Sequence, residues 1–267
     1  MSEWENRDVT LDGTTVTLRE AGSGPPLLIL HDELGPSEWL EYHEALSRDR
    51  RLVMPIAPGF RTPRLKWMRS VTDLSRFYGR LLRQESLRPV EVLGFSFGGW
   101  VAAEMAVNDP AQFASMTLVA PFGIKPPEGE IFDMYIGTTA EFLKVSVADP
   151  EGTPEFERVF GKAGPETIEA WEDARIESAQ LAWEPYMHNP SLDHHVRGLD
   201  GLPTLVIWGS RDTVLPKSAA QAYADNIPKA RLAVIEGSGH RPELERREEF
   251  LSVLRSFIGR PAHESRE

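Results

Sequence analysis

The sequence predicts an α/β fold, one domain of alternating strands and helices that carries a single helical insertion. Three observations predict it. Short buried-strand runs alternate with helix-forming runs through the first 120 residues, and the alternation resumes at Pro203. Between these stretches, residues 124–202 contain no buried-strand run. The pentapeptide Gly94-Phe95-Ser96-Phe97-Gly98 stands between a β-rich segment and a strong helix former. At 267 residues and 41% hydrophobic composition, the chain has the length and apolar content for such a domain.

Each element follows from a local signal. Residues 9–18 read as a β-hairpin, because Asp12-Gly13 is a strong two-residue turn signal. Gly22-Ser23-Gly24-Pro25-Pro26 breaks the chain, and residues 26–30 form the next strand. Residues 37–46 are expected to be helical with Ser37 as N-cap. Residues 51–56 read as a strand ended by Pro58-Gly59. Thr72 is expected to cap a helix running to about Ser86, and Leu74, Phe77, Tyr78, Leu81 and Leu82 recur at helical spacing as its core face. Val90-Glu91-Val92-Leu93 and residues 115–120 are further strands.

Pro126-Pro127 opens the insertion, and residues 165–181 look helical. Phe132, Met134, Tyr135, Phe142, Trp171, Trp183, Tyr186 and Met187 make it rich in large apolar side chains. Thr204-Leu205-Val206-Ile207-Trp208 and Arg231-Leu232-Ala233-Val234-Ile235 read as the last two strands. His263 lies in a polar C-terminal tail expected to be mobile.

Gly-x-Ser-x-Gly between strand and helix reads as a nucleophile elbow, a turn so sharp that it lifts the serine hydroxyl clear of the backbone. The helix start aims backbone N–H groups at an oxyanion formed there. A hydroxyl needs a base, and the base needs an orienting group. Asp212 follows one buried strand, and His240 follows the next after Gly237-Ser238-Gly239. The chain order Ser96, Asp212, His240 is the order this strand–turn–helix scaffold uses.

Residues 90–106, 205–216 and 235–250, together with Leu27-Leu28-Ile29-Leu30-His31 and Pro58-Gly59-Phe60, resemble the motif blocks of the α/β-hydrolase superfamily. The resemblance spans residues 9–258 apart from the middle. It implies a mostly parallel central sheet with helices on both faces. It also implies Ser96 as nucleophile, His240 as general base and Asp212 as the residue that holds the imidazole. The core is then residues 1–122 and 203–267, and residues 123–202 resemble the helical cap that covers the site in many relatives. An acid after the strand at 115–120, used by some relatives, is absent from Val119-Ala120-Pro121-Phe122. By register, the oxyanion hole uses the Phe97 and Glu33 backbone N–H groups. Asp32 stands where relatives carry glycine, and Arg241 stands where some carry an aromatic residue. Arg241 is expected either to pair with Asp32 or Glu33, to point to solvent, or to bind a substrate carboxylate. Asp32, Trp183, Tyr135 and Arg241 are the candidate pocket residues, and Glu245 is read as fixing the histidine loop and the last helix.

The remaining histidines attract other readings. His31, at a strand end, is read as a hydrogen-bonded structural residue. His43 falls on an expected surface helix, His188, His194 and His195 fall in or near the exit of the insertion, and the pair His194-His195 is read as surface residues. Neighbours such as His194-His195 seldom face one ion, so no metal is expected. The absence of cysteine excludes disulfides, thiol catalysis and cysteine-bound zinc. The net charge of −12 argues against nucleic acid and anionic membrane as partners. No run of about 18 apolar residues and no signal pattern at the start are seen, so a cytoplasmic protein acting on a small molecule is expected. The expected activity is hydrolysis of a small or medium, partly apolar ester-like substrate through an acyl-enzyme, without a cofactor. Carbon–carbon hydrolysis of ring-cleavage dienoates and non-hydrolytic ligand binding are the alternatives. A carboxylate nucleophile, as haloalkane dehalogenation needs, is missing because Ser96 occupies that position.

Overall fold

The structure, a computed structural model, describes residues 4–259; His263 and its tail lie outside the described residues. Eight strands form one sheet: β1 (Glu5–Leu11), β2 (Thr14–Ala21), β3 (Pro26–Leu30), β4 (Arg51–Pro55), β5 (Val90–Phe95), β6 (Phe113–Val119), β7 (Thr204–Gly209) and β8 (Arg231–Ile235). Their spatial order is β1-β2-β4-β3-β5-β6-β7-β8. β1 and β2 form an antiparallel hairpin, β2 meets β4 antiparallel, and all later pairs are parallel. The expected α/β architecture with a mostly parallel sheet is therefore present.

The helices are α1 (Glu41–Leu46), α2 (Val71–Gln84), α3 (Phe97–Asn108), α4 (Thr139–Val145), α5 (Pro154–Phe156), α6 (Pro165–Ala182), α7 (Leu192–His195), α8 (Lys217–Asn226), α9 (Pro242–Glu245) and α10 (Arg247–Arg255). Alternation along β3 explains why both faces are covered. Leu28 and Leu30 pack with α2 and α3 residues such as Phe77 and Val101, whereas Leu27 and Ile29 pack with Tyr42, Phe250 and Leu254. The central strands, buried on both sides, consequently read as continuous apolar runs.

Residues 123–202 contribute no strand to the sheet. Their entry and exit are joined: Gly123 N–H donates to the Met187 carbonyl (3.1 Å), and Asn189 N–H donates to the Gly123 carbonyl (2.8 Å). The Asn189 amide also donates to Glu104 on α3 at 2.7 Å. Glu104 is buried and accepts from Trp100 Nε1 and Thr72 Oγ1 as well, so one carboxylate ties the insertion to the helix behind Ser96.

Three local expectations need correction. Residues 37–40 are not helical; α1 begins at Glu41 after Leu40. The Ser37 carbonyl accepts from Arg19 and the Trp39 carbonyl from Arg158, which holds this stretch extended. Ser70, not Thr72, caps α2 by accepting from Asp73 N–H at 3.1 Å, and the helix ends at Gln84. His43 is fully buried rather than on the surface. Its Nδ1 accepts the Leu40 N–H, and Trp4, Trp39 and Tyr42 enclose the ring, so burial pushes its pKa well below the usual histidine value.

Among the described residues, no helix is long and apolar enough to cross a membrane, and no group of three or more His, Asp or Glu is placed to hold a metal ion.

Candidate active site

β5 delivers the chain to a turn in which Ser96 adopts φ 50° and ψ −112°, a backbone region costly for a residue with a side chain. Hydrogen bonds hold that conformation. Ser96 N–H donates to the Val119 carbonyl at 2.9 Å, and the Ser96 carbonyl accepts from Trp100 and Phe122. The flanking glycines are required by space. A Cβ on Gly94 would sit 2.6 Å from the Gly98 carbonyl oxygen, and one on Gly98 would collide with the Leu30 and His31 carbonyls. The loop after β3 therefore lies directly against the turn.

β7 and β8 deliver the other two groups. Gly209 packs so closely on the Ser238–Gly239 backbone that a Cβ there would collide with the Gly239 carbonyl, which draws the two loops together. His240 Nε2 lies 2.9 Å from Ser96 Oγ, and His240 Nδ1 lies 2.8 Å from Asp212 Oδ2. The other Asp212 oxygen accepts the Val214 and Leu215 N–H groups at 2.8 and 2.9 Å. Facing a carboxylate, Nδ1 carries the ring proton, and Nε2 is left to accept from the serine. Burial opposes the imidazolium, but the charge and hydrogen bond of Asp212 outweigh it and raise the His240 pKa.

Arg241 reaches the loop after β3. Its Nη1 donates to Asp32 Oδ2 at 2.6 Å, its Nη2 lies 3.4 Å from Glu33 Oε1, and its Nε donates to Ser146 at 3.0 Å. Phe160 lies under the guanidinium at 5.5 Å. One buried cation thus joins the β3 loop, the histidine loop and the insertion. Glu245 does similar work: it accepts Gly239 N–H at 2.6 Å and Ala148 N–H at 2.7 Å. Ser96 and His240 are 4% and 3% exposed beneath these contacts.

The Phe97 N–H heads α3, where no intrahelical acceptor exists. The Glu33 N–H finds no acceptor among the described residues, while Asp32 Oδ1 accepts the neighbouring Leu34 N–H at 2.9 Å. His31 is held by Ala57 N–H on Nε2 and by the Asp32 carbonyl on Nδ1, as a structural histidine would be.

Of the four expected pocket residues, Trp183 and Tyr135 border a groove in the insertion, and Asp32 and Arg241 pair with each other. Trp183 is 56% exposed. It continues the outward row Ile176–Gln180 of α6 and lines an open groove on the outer surface. The inward row is Trp171, Ala174, Ser178 and Leu181. The Tyr135 ring borders the same groove, and its hydroxyl bonds to Ser178 and Met187. Asp32 and Arg241 are engaged with each other and border a small cavity of about 40 Å³ that Ser96 does not line. Glu243, missed in the sequence, borders that cavity too. Burial pushes its carboxyl up to about 8 against the pull of Arg241, and its Oε2 has no hydrogen-bond partner among the described residues. The charged run Arg241-Pro242-Glu243 directly after His240 was the available signal.

The family model described as the alpha/beta hydrolase family matches residues 22–253. The chain is 24% identical over 281 residues to 2-hydroxymuconate semialdehyde hydrolase of Pseudomonas sp. strain CF600, an alignment covering 94% of this chain and 93% of that one. It is 24% identical over 259 residues to pimeloyl-[acyl-carrier protein] methyl ester esterase of Aeromonas hydrophila subsp. hydrophila, covering 92% and 100%. In shape it resembles the crystal structure of a membrane phospholipase A with a TM-score of 0.78 at 22% identity, covering 96% and 86% of the chains, a likeness of fold alone. The chain belongs to the α/β-hydrolase family and is a hydrolase.

Proposed function

We propose that the protein is a serine hydrolase that cleaves a small or medium, partly apolar ester-like substrate through an acyl-enzyme. One observation carries the reading: Asp212, His240 and Ser96 form a continuous hydrogen-bonded line of 2.8 and 2.9 Å at the ends of three parallel strands. In this reading Ser96 attacks the carbonyl carbon while His240 Nε2 takes its proton, and the Phe97 and Glu33 N–H groups hold the oxyanion. Asp212 keeps the imidazole in the accepting tautomer and stabilises the imidazolium. His240 then gives its proton to the leaving alcohol, and water, activated by the same ring, releases the acid. No cofactor takes part.

Residues 123–202 serve as the lid over a core of residues 1–122 and 203–267. The burial of Ser96 and His240 and the bonds from Ser146 and Ala148 to the histidine loop support this role. The Phe122 ring beside His240, at 5.8 Å, supports a partly apolar substrate.

Carbon–carbon cleavage of a dienoate is a second reading, favoured by the relative named as 2-hydroxymuconate semialdehyde hydrolase. Arg241, the arginine beside the β3 loop, is already paired with Asp32 at 2.6 Å, which disfavours its use to hold the carboxylate of an anionic substrate. Turnover of a panel of neutral esters, lactones and dienoates, with Ser96→Ala as control, tests both. Serine-dependent turnover of esters above dienoates is expected; dienoates as the better substrates would select the second reading.

A further inference from the structure

Glu33 contributes more than a backbone N–H to the site. Its side chain is fully buried, yet Oε2 has no hydrogen-bond partner among the described residues. Oε1 reaches Arg241 only at 3.4 Å, because Nη1 of the same guanidinium is taken by Asp32 at 2.6 Å. The Ser96 hydroxyl lies beside the carboxyl. A carboxyl oxygen enclosed next to a nucleophile and left without a partner is costly unless the substrate completes it.

We infer that the Glu33 side chain is a third hydrogen-bond donor of the site, a neutral carboxylic acid whose Oε2–H is offered to the carbonyl oxygen of an uncharged ester as Ser96 attacks it. The proton stays on Glu33 throughout; only its hydrogen bond strengthens as the oxyanion forms.

The surroundings favour the neutral form. Burial and the adjacent Asp32 raise the Glu33 pKa, while Arg241, His240 and the Ser96 hydroxyl pull it down. From the insertion, Tyr135 and Tyr186 lie near enough to sense a charge on Glu33 but supply none of opposite sign, and their hydroxyls are engaged with Ser178 and with the Phe132 carbonyl. An ionised Glu33 would join Asp32 and Asp212 as a third carboxylate in a closed site with one arginine. It would also repel the developing oxyanion in a medium where like charges are poorly screened. As an acid it does the opposite, and a carboxylic acid kept neutral in an apolar site is a known kind of oxyanion donor.

The inference rests on Ser96 acting as the nucleophile, and the test separates the two. Wild type, Glu33→Leu and Glu33→Gln are compared on a neutral ester from pH 5 to 10, with fluorophosphonate labelling of Ser96 in each. Both substitutions keep the backbone N–H. Glu33→Leu is expected to lower kcat by about 10²–10³-fold, the usual effect of removing one oxyanion donor. Glu33→Gln, whose amide still donates, is expected to lose on the order of ten-fold or less. The donor exists below the Glu33 pKa and is lost as pH rises through it. Wild type should therefore show a fall in kcat/KM as pH rises through the Glu33 pKa that Glu33→Gln abolishes, and this comparison decides even if Glu33→Leu does not fold.

Full activity in Glu33→Leu overturns the inference. So does Glu33→Gln as impaired as Glu33→Leu, or preference for a cationic ester with activity rising at alkaline pH, since each means a working carboxylate. A wild type that neither labels nor hydrolyses any ester overturns the serine-hydrolase reading itself.

Discussion

Replacing Arg241 by methionine removes the one cation that three parts of the site share. The guanidinium side chain is 7% exposed, and its partners Asp32 and Glu33 are 13% and 0% exposed. Breaking a buried ion pair by deleting one partner costs about 3–5 kcal/mol, because the remaining charge is left without compensation. For a chain of this size that corresponds to a melting temperature lower by on the order of 10 °C. The loss must depend on pH. Without Arg241, the Glu33 carboxyl, whose pKa burial and the adjacent Asp32 already raise, loses the charge that pulls it down, so the folded state binds more protons than the unfolded one. Stability then falls as pH rises above about 4, the unfolded carboxylate range, and continues to fall up to the folded pKa.

Arg241→Met should therefore be destabilised more at pH 8 than at pH 5 relative to wild type, as measured by urea unfolding at both. Arg241→Lys keeps the charge but not the fork that reaches Asp32 and Glu33 together, and should fall between. Turnover of a neutral ester should drop in Arg241→Met, with kcat affected more than KM, because the β3 loop loses its anchor. A variant within about 1 kcal/mol of wild type, the range of an exposed pair, or one equally destabilised at both pH values, would refute this account.

Three further expectations follow from the same geometry. Ser96→Ala should lose on the order of 10⁴–10⁶ in kcat on any ester the wild type turns over, with an unchanged melting temperature; substantial residual turnover would remove Ser96 from its role. Because Asp212 raises the His240 pKa and the base must be unprotonated, kcat/KM should fall as pH drops through a value above the ordinary 6.5; an acid limb below that value in a pH–rate profile would contradict it. Glu245→Ala should cost about 1–3 kcal/mol in urea unfolding and lower kcat, since the N–H groups of Gly239 and Ala148 lose their shared acceptor; wild-type kcat in a destabilised protein would confine Glu245 to stability.

The residues that meet at the site were readable because each is announced by its own strand. A buried strand followed by a short glycine-bearing loop marked Ser96, Asp212 and His240 without any knowledge of distances. The opposition of Asp32 and Glu33 to Arg241 was also visible as charge where relatives carry small or aromatic residues. What the sequence hid was orientation. Trp183 and Trp171 look alike in the chain, but a 3.6-residue period sends one to solvent and the other inward. His43 looked exposed because its own helix is polar, and only Trp4 and Trp39, brought in from other segments, bury it. Residues 37–40 have helical composition, yet Arg19 and Arg158, distant in sequence, claim their carbonyls. Glu243 stands in the charged run after His240, but the burial that raises its pKa is not written in that run.

The central claim is that Ser96, activated by His240, attacks the substrate. Incubation of the protein with a fluorophosphonate, followed by intact-mass and peptide analysis, tests it most directly. The account predicts a single adduct on the peptide containing Ser96, with no adduct in Ser96→Ala and strongly slowed labelling in His240→Ala. Absence of labelling in the wild type, or an adduct that persists in Ser96→Ala, would contradict it.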